Sequence, residues 1–279
     1  MIKFNEKNHS YQNIDNTHSP WVSVTSLVGI YKPPFDAPAQ ALKSSKNPRS
    51  KWYGMDPAEI QRVWKSEGER STTDGHKYHS IREDQLTTTG HLHKDGIIYN
   101  ISKPIIQGED KLSPTQKLYN NTIYPEHLVY SSRDYVCGQA DKVEVHDNRV
   151  NITDYKTVKV LNTEGYMNWE GITKRMLPPL EHLDDCHLVH YTLQLSLYLY
   201  MILRHNPQLL PGDLTIEHIW FQVASTDQYG YPTYARDSSN NFIIESIKNY
   251  KVPYLKPEVL AILSDFKTNF EKYLPKLKK

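Results

Sequence analysis

The chain is poor in the residues that build cross-linked or metal-clustered scaffolds: its 279 residues include two cysteines, Cys137 and Cys186. Two cannot form a four-cysteine zinc or iron–sulfur site or a disulfide framework, so a reducing compartment is expected. No stretch of about 20 apolar residues is present to span a membrane. The opening MIKFNEKNHSYQNIDNTHSP also lacks an apolar signal segment, and a cytoplasmic location follows as an expectation. No repeat or low-complexity tract points to a solenoid or a linker-rich array. No Gly-Lys dipeptide occurs, which excludes a P-loop motor. Neither sign of charge dominates, with 33 Lys and Arg against 32 Asp and Glu for a net charge of +1, so any polyanion-binding groove must arise from local clustering.

What is present suits one compact enzyme domain. Hydrophobic residues make up 38% and charged residues 23%, enough of each for a sizeable core and a solvated surface. Tyrosine is abundant at 20, supplying apolar area with a polar tip, suited to packing or to stacking on bases. A single domain over 1–279 is expected, with an N-terminal helical region over 1–70, a core over 70–225, and a C-terminal extension and helix over 226–279. After a strand-like start, SVTSLVGIYKPPFD predicts a short helix closed by Pro33 and Pro34. Asp56 and Pro57 then open a helix running towards Asp74, and Gly75 to Asp84 predicts a further helical piece. Residues 90–108 suggest a hairpin insertion, and SPTQKLYNNTIYP a helix. Three β-type runs follow at 127–132, 138–146 and 149–157, with Asp147 and Asn148 turning between the last two. HLVHYTLQLSLYLYMILRH, 187–205, is apolar almost all round and predicts a buried helix. TIEHIWFQV predicts a strand at 215–223, and KPEVLAILSDFKTNFEKYL a closing amphipathic helix.

Side chains alternate along a strand, so Val150, Ile152, Asp154 and Lys156 share a face: two apolar residues enter the core before an acid and a lysine emerge from it. The same rule groups Asp141 with Val143 and Val145, and the hairpin turn brings Asp141 towards Asp154. Two close carboxylates repel unless a cation lies between them. A hard ion, Mg²⁺ or Mn²⁺, suits such oxygen donors, with the Tyr155 carbonyl as a further ligand. Lys156 beside it can orient an attacking water and stabilise charge developing on phosphorus. Alone, Asp-x-Lys is a common tripeptide whose ordinary reading is a surface ion pair.

Three further spacings add context. Gly75, His79 and Glu83 form G-x-x-x-H-x-x-x-E with the last two on one helical face, Gly138 to Asp141 forms G-x-x-D, and Gln194 with Tyr198 forms Q-x-x-x-Y. In that order, with Asp154-Tyr155-Lys156 between the last two, the sequence resembles the RecB-like exonuclease branch of the PD-(D/E)XK nuclease superfamily over about residues 70 to 225. The resemblance implies an α/β restriction-endonuclease-like fold, a central mixed β-sheet flanked by helices with N-terminal helical additions. It implies catalytic Asp141, Asp154 and Lys156, His79 as an added metal ligand, and Gln194 and Tyr198 positioning the substrate strand. Glu126 matches a glutamate often found before the first core strand, and Glu83 is offered as an accessory that orients the site or braces its helix. The expected activity is a Mg²⁺- or Mn²⁺-dependent DNA exonuclease acting at free ends and on single strands in replication, recombination or repair. A structure-specific endonuclease and a non-catalytic DNA-binding module are the alternatives. His182, Cys186, His187 and His190 can be drawn as a zinc cluster, but their spacing matches no standard site. Trp21 and Tyr31 are expected to pack rather than to stack on bases.

Overall fold

A computed structural model describes residues 2–5, 7, 10–14, 21–113 and 116–277. Strands β1 (Ile2–Asn5), β2 (Ser10–Asn13) and β3 (Val22–Ser23) open the chain. Helix α1 (Val24–Ile30) follows, begun by the Ser23 side chain accepting from the Ser26 amide and ended ahead of Pro33 and Pro34. Helix α2 (Ala37–Lys46), which the sequence reading did not mark, starts where Asp36 accepts from the Ala39 amide. The two helical pieces predicted from Asp56 onwards are one helix, α3 (Pro57–Thr89), which runs unbroken through Gly68 and Gly75 and stops at Gly90 in the left-handed conformation.

Two hairpins fill the insertion: β4 (His91–Lys94) with β5 (Ile97–Ile101), and β6 (Ile105–Gln107) with β7 (Asp110–Ser113). The helix expected over SPTQKLYNNTIYP does not form in the described part; Pro114 and Thr115 lie outside it. Instead Asn206, capping the next long helix, accepts from the Leu118 amide and donates to the Gln116 carbonyl, satisfying backbone groups that a helix would have paired internally. The meander is β8 (Thr122–Ser131), β9 (Val136–His146) and β10 (Arg149–Lys156). Asp147 and Asn148 both have positive φ, as a two-residue hairpin turn requires.

Helix α4 (His187–His205) carries the chain over to β11 (Leu210–Phe221), parallel to β10. A small hairpin, β12 (Val223–Thr226) with β13 (Pro232–Tyr234), precedes β14 (Ile244–Val252), and α5 (Lys256–Thr268) and α6 (Phe270–Leu277) close the described chain. The main sheet is mixed, in the order β14-β11-β10-β9-β8-β5-β4, with β3 joined to β9. A second sheet runs β2-β1-β7-β6. The protein is thus α/β, a large mixed sheet flanked by helices. Residue 70 falls inside α3, and the main sheet gains β14 beyond residue 225.

One face of β8 to β11 packs against α4, with α5 on α4 and α1 against both α4 and β9; Val143, Val150, Ile152, Leu193, Leu197 and Ile262 belong to this core. That sandwich explains why α4 is apolar on nearly every side. On the other face Tyr155 packs with Tyr78 of α3, Ile219, Phe221 and Phe242. Trp21 and Tyr31 are buried, as expected of packing residues. Among the described residues no helix is long and apolar enough to cross a membrane.

Candidate functional site

The site lies where β8, β9 and β10 meet α3 and α4. The β9/β10 register pairs Val150 with Val145 and Thr153 with Lys142; one step further it sets Asp154 opposite Asp141. Both are buried, Asp154 at 1% exposure and Asp141 at 8%. The Tyr155 amide donates to Asp141 Oδ2 at 2.6 Å, so the backbone of one strand fixes the carboxylate of its neighbour. Lys156 Nζ lies 2.6 Å from Asp154 Oδ2 and 4.7 Å from the centre of the Tyr191 ring.

Glu126 comes to the site by a break in strand geometry. Its φ of 46° lies in the left-handed region, unusual for a side chain other than Gly, Asn or Asp. Before it, Tyr124 faces the main core and Ile123 the opposite side; after it, Val129 faces the main core and Leu128 the opposite side. The flip at Glu126 therefore switches the alternation of β8 from even to odd residues. It also holds the Glu126 carboxylate opposite Asp141, since Pro125 pairs with Lys142 and His127 with Ala140. Local strain kept inside a strand next to converging acids is a common mark of a working site.

His79 of α3 completes the group. Its Nδ1 is 3.4 Å from Asp141 Oδ1 and 3.6 Å from Glu126 Oε1, while Nε2 is 3.2 Å from the Tyr155 carbonyl oxygen. A carbonyl only accepts, so Nε2 carries the hydrogen and Nδ1 is the atom turned towards the carboxylates. His79, Glu126 and Asp141 offer three donor atoms within 4.8 Å of one another, a spacing that fits one metal ion. The Tyr155 oxygen, expected as a metal ligand, lies against His79 Nε2 and so orients the imidazole.

The charges show what the cluster needs. Burial raises the pKa of Asp154 to about 6 against the pull of Lys156, and burial also raises Glu126 despite His79 beside it. Burial acts the same way on Asp141, but His79, Lys156 and the Tyr155 amide together outweigh it and lower its pKa. Burial opposes the charged forms of His79 and Lys156, yet Asp141 and Glu126 raise His79 and Asp154 raises Lys156. With His79 neutral at Nδ1, as a metal ligand must be, three buried carboxylates face the single ammonium of Lys156, a deficit of two charges that a divalent cation fits.

From α4, Gln194 Nε2 donates to Asp154 Oδ1 at 3.3 Å and to the Tyr198 hydroxyl at 3.0 Å. Tyr198 is buried and lies against Gly138: a Cβ there would come within 2.5 Å of its ring. The G-x-x-D glycine thus makes room for the Q-x-x-x-Y tyrosine. Gly75 has no such tight neighbour; a Cβ would meet Thr157 Oγ1 at an ordinary 3.5 Å. Glu83 is one turn along α3 from His79 but points to Lys111 of β7, 2.7 Å away, so it braces the second sheet rather than joining the cluster. Tyr191 escaped the sequence reading, although it shares a helical face with Gln194 and Tyr198. Tyr11 of β2 escaped it too. Burial first, then Cys137, Glu126 and Asp141 raise its pKa, which places its hydroxyl in the field of the cluster; no local spacing links residue 11 to residue 126.

The suggested zinc group has other partners. His190 Nε2 is 2.7 Å from Asp185 Oδ1 and His182 Nε2 is 3.2 Å from Glu258 Oε1, and among the described residues His79, Glu126 and Asp141 form the metal-compatible group. No family model matches the chain, and comparisons with curated proteins and with solved structures give no match either.

Proposed function

We propose that this protein is a divalent-metal-dependent nuclease that hydrolyses phosphodiester bonds in DNA, working as an exonuclease on single-stranded ends. The observation that carries the reading is the convergence, from β8, β9, β10 and α3, of Glu126, Asp141, Asp154, Lys156 and His79 into one buried cluster short of positive charge. The proposed fold is a restriction-endonuclease-like core on β8 to β11, with α3 and α4 on opposite faces and the RecB-like order of motifs.

His79 Nδ1, Glu126 and Asp141 would hold Mg²⁺ or Mn²⁺, with Asp154 beside them. Such an ion supplies Lewis-acid polarisation of a phosphoryl oxygen and makes a water more acidic. The chain's own groups then set direction and charge. Tyr155 turns His79 through its carbonyl and Asp141 through its amide, so one residue aligns two ligands. Lys156, kept protonated by Asp154 and Asp141, presents an ammonium that orients the attacking water and stabilises charge growing on phosphorus. Gln194 holds Asp154 in place, and Tyr198 holds Gln194. The second sheet, tied to α3 through Lys111 and Glu83, packs along β8 beside the site; as a roof over the strand's path it would favour a threaded single strand over a duplex.

End dependence is tested with linear and closed circular single-stranded DNA, incubated with Mg²⁺ or Mn²⁺ and with chelator. Metal-dependent loss of the linear form, with the circle persisting, is expected. Equal cutting of both means an endonuclease, and no cutting of either overturns the proposal.

A further inference from the structure

Beside Glu126 the structure holds a cavity of about 190 Å³ for which the cluster has no use. It opens along the outer edge of β8, where β5 has stopped pairing after Ile123, and the segment after β5 and residues of β6 and β7 close it over. Its walls are apolar or aromatic, with Pro104, Ile105, Leu112 and Tyr124 among them. Lys103, Lys117 and Glu126, the last turned to His79, are the charged residues of its lining. Tyr119 lies at the cavity and is 60% exposed. Its position is set: the Tyr119 amide donates to the Tyr124 hydroxyl at 2.7 Å, and Lys117 Nζ lies 5.6 Å from its ring centre.

We infer that this cavity is a nucleotide subsite: it takes one unstacked nucleotide of a single strand whose phosphodiester lies at the cluster, the base on Tyr119 and the phosphates by Lys103 and Lys117. The inference rests on the nuclease reading and adds to it the class of substrate and the place of one base. Three features point to this occupant. The volume suits a single planar base, not a base pair. An exposed aromatic ring with an ammonium beside it stacks on any base, giving affinity without sequence preference. The cavity shares Glu126 with the cluster, so a strand leaving the reacting phosphate passes directly into it.

The test uses the full chain and single-stranded oligonucleotides with 2-aminopurine at successive positions, bound in Ca²⁺ to slow cleavage, their length checked after each reading. Quenching at one position near the end is expected, lost in Tyr119→Ala and kept in Tyr119→Phe. Affinity should fall between about 5-fold and about 150-fold in Tyr119→Ala, the range for one base–aromatic stack. Replacing Lys103 and Lys117 together by alanine should lower the slope of log affinity against log salt by about 1.4, for two phosphate contacts on a single strand. Cleavage with Mg²⁺ is measured in parallel. Cleavage by the wild type with no quenched position, and unchanged affinity in Tyr119→Ala, overturns the subsite and leaves the nuclease reading standing. Neither binding nor cleavage overturns both.

Discussion

Lys156 has two partners whose demands differ. Asp154 fixes its ammonium by charge and the face of Tyr191 supports it from α4, so the side chain is held before any substrate arrives. A group positioned in this way acts on the chemical step. Lys156→Ala should lower the single-turnover rate by about 100- to 1000-fold, the usual cost of one preorganised charge-stabilising donor, with DNA affinity little changed. Weakened binding at an unchanged rate would reduce Lys156 to a phosphate contact. A second residue, His190, reports on folding. Burial, then Lys32, lower its pKa to about 4, against the pull of Asp185. An unfolded chain takes up this proton near pH 6.5 and the folded protein does not until about pH 4. His190 therefore costs stability increasingly as pH falls through that window. Asp154, raised to about 6, works in the opposite direction there, so the useful quantity is a difference. Denaturant midpoints of the wild type minus those of His190→Gln should fall from pH 7 to pH 4; a flat difference would mean that His190 takes up its proton as readily in the folded protein as in the unfolded chain.

Strand β8 shows how an element trades regularity for a site. Glu126 accepts a left-handed backbone that costs about 1–2 kcal/mol, and a buried carboxylate besides. Glu126→Gly removes both costs together with the proposed ligand. The variant should melt no lower than the wild type while binding Mn²⁺ at least about tenfold more weakly by calorimetry, since glycine is free at positive φ. A variant that melts much lower with its Mn²⁺ affinity intact would make Glu126 a structural residue alone. This element also marks where sequence reading stops. The Asp147-Asn148 turn, the length and all-round apolarity of α4 and the alternation of Val150, Ile152 and Asp154 are local, and each foretold its element. The break at α3 did not occur because Gly68 and Gly75 lower helix propensity by only about 1 kcal/mol each, less than a long helix gains by packing. Strand β14 is exposed along most of its length and held by its pairing with β11, so it carries no hydrophobic alternation to read. The sequence offers Glu126 only as an accessory, because the flip that turns it to Asp141 depends on pairing across β8 and β9.

Over the whole molecule the near-neutral charge and the buried acids describe a protein that gathers its electrostatics at one place. A net charge of +1 gives little long-range pull on a polyanion, so under the proposed function affinity for DNA would come from local contacts such as Lys103 and Lys117 and from a bound ion. Binding should therefore be weak in chelator, and it should lose affinity as salt rises only in proportion to those few contacts. Separate segments of the chain, from α3 to β10, meet at the cluster. Removing the charge of Asp154 should leave the fold in place, because burial and the neighbouring Asp141 oppose that charge when no metal offsets them. The most direct measurement is the cleavage rate of an end-labelled single-stranded DNA as Mn²⁺ is titrated, for the wild type and for Asp141→Asn of unchanged melting temperature. The wild type should pass from no cleavage in chelator to a saturating rate, and Asp141→Asn should stay at least about 100-fold slower at every Mn²⁺ concentration. Cleavage by the wild type in chelator, or near-equal rates for the two proteins, would contradict a metal-dependent site at this cluster.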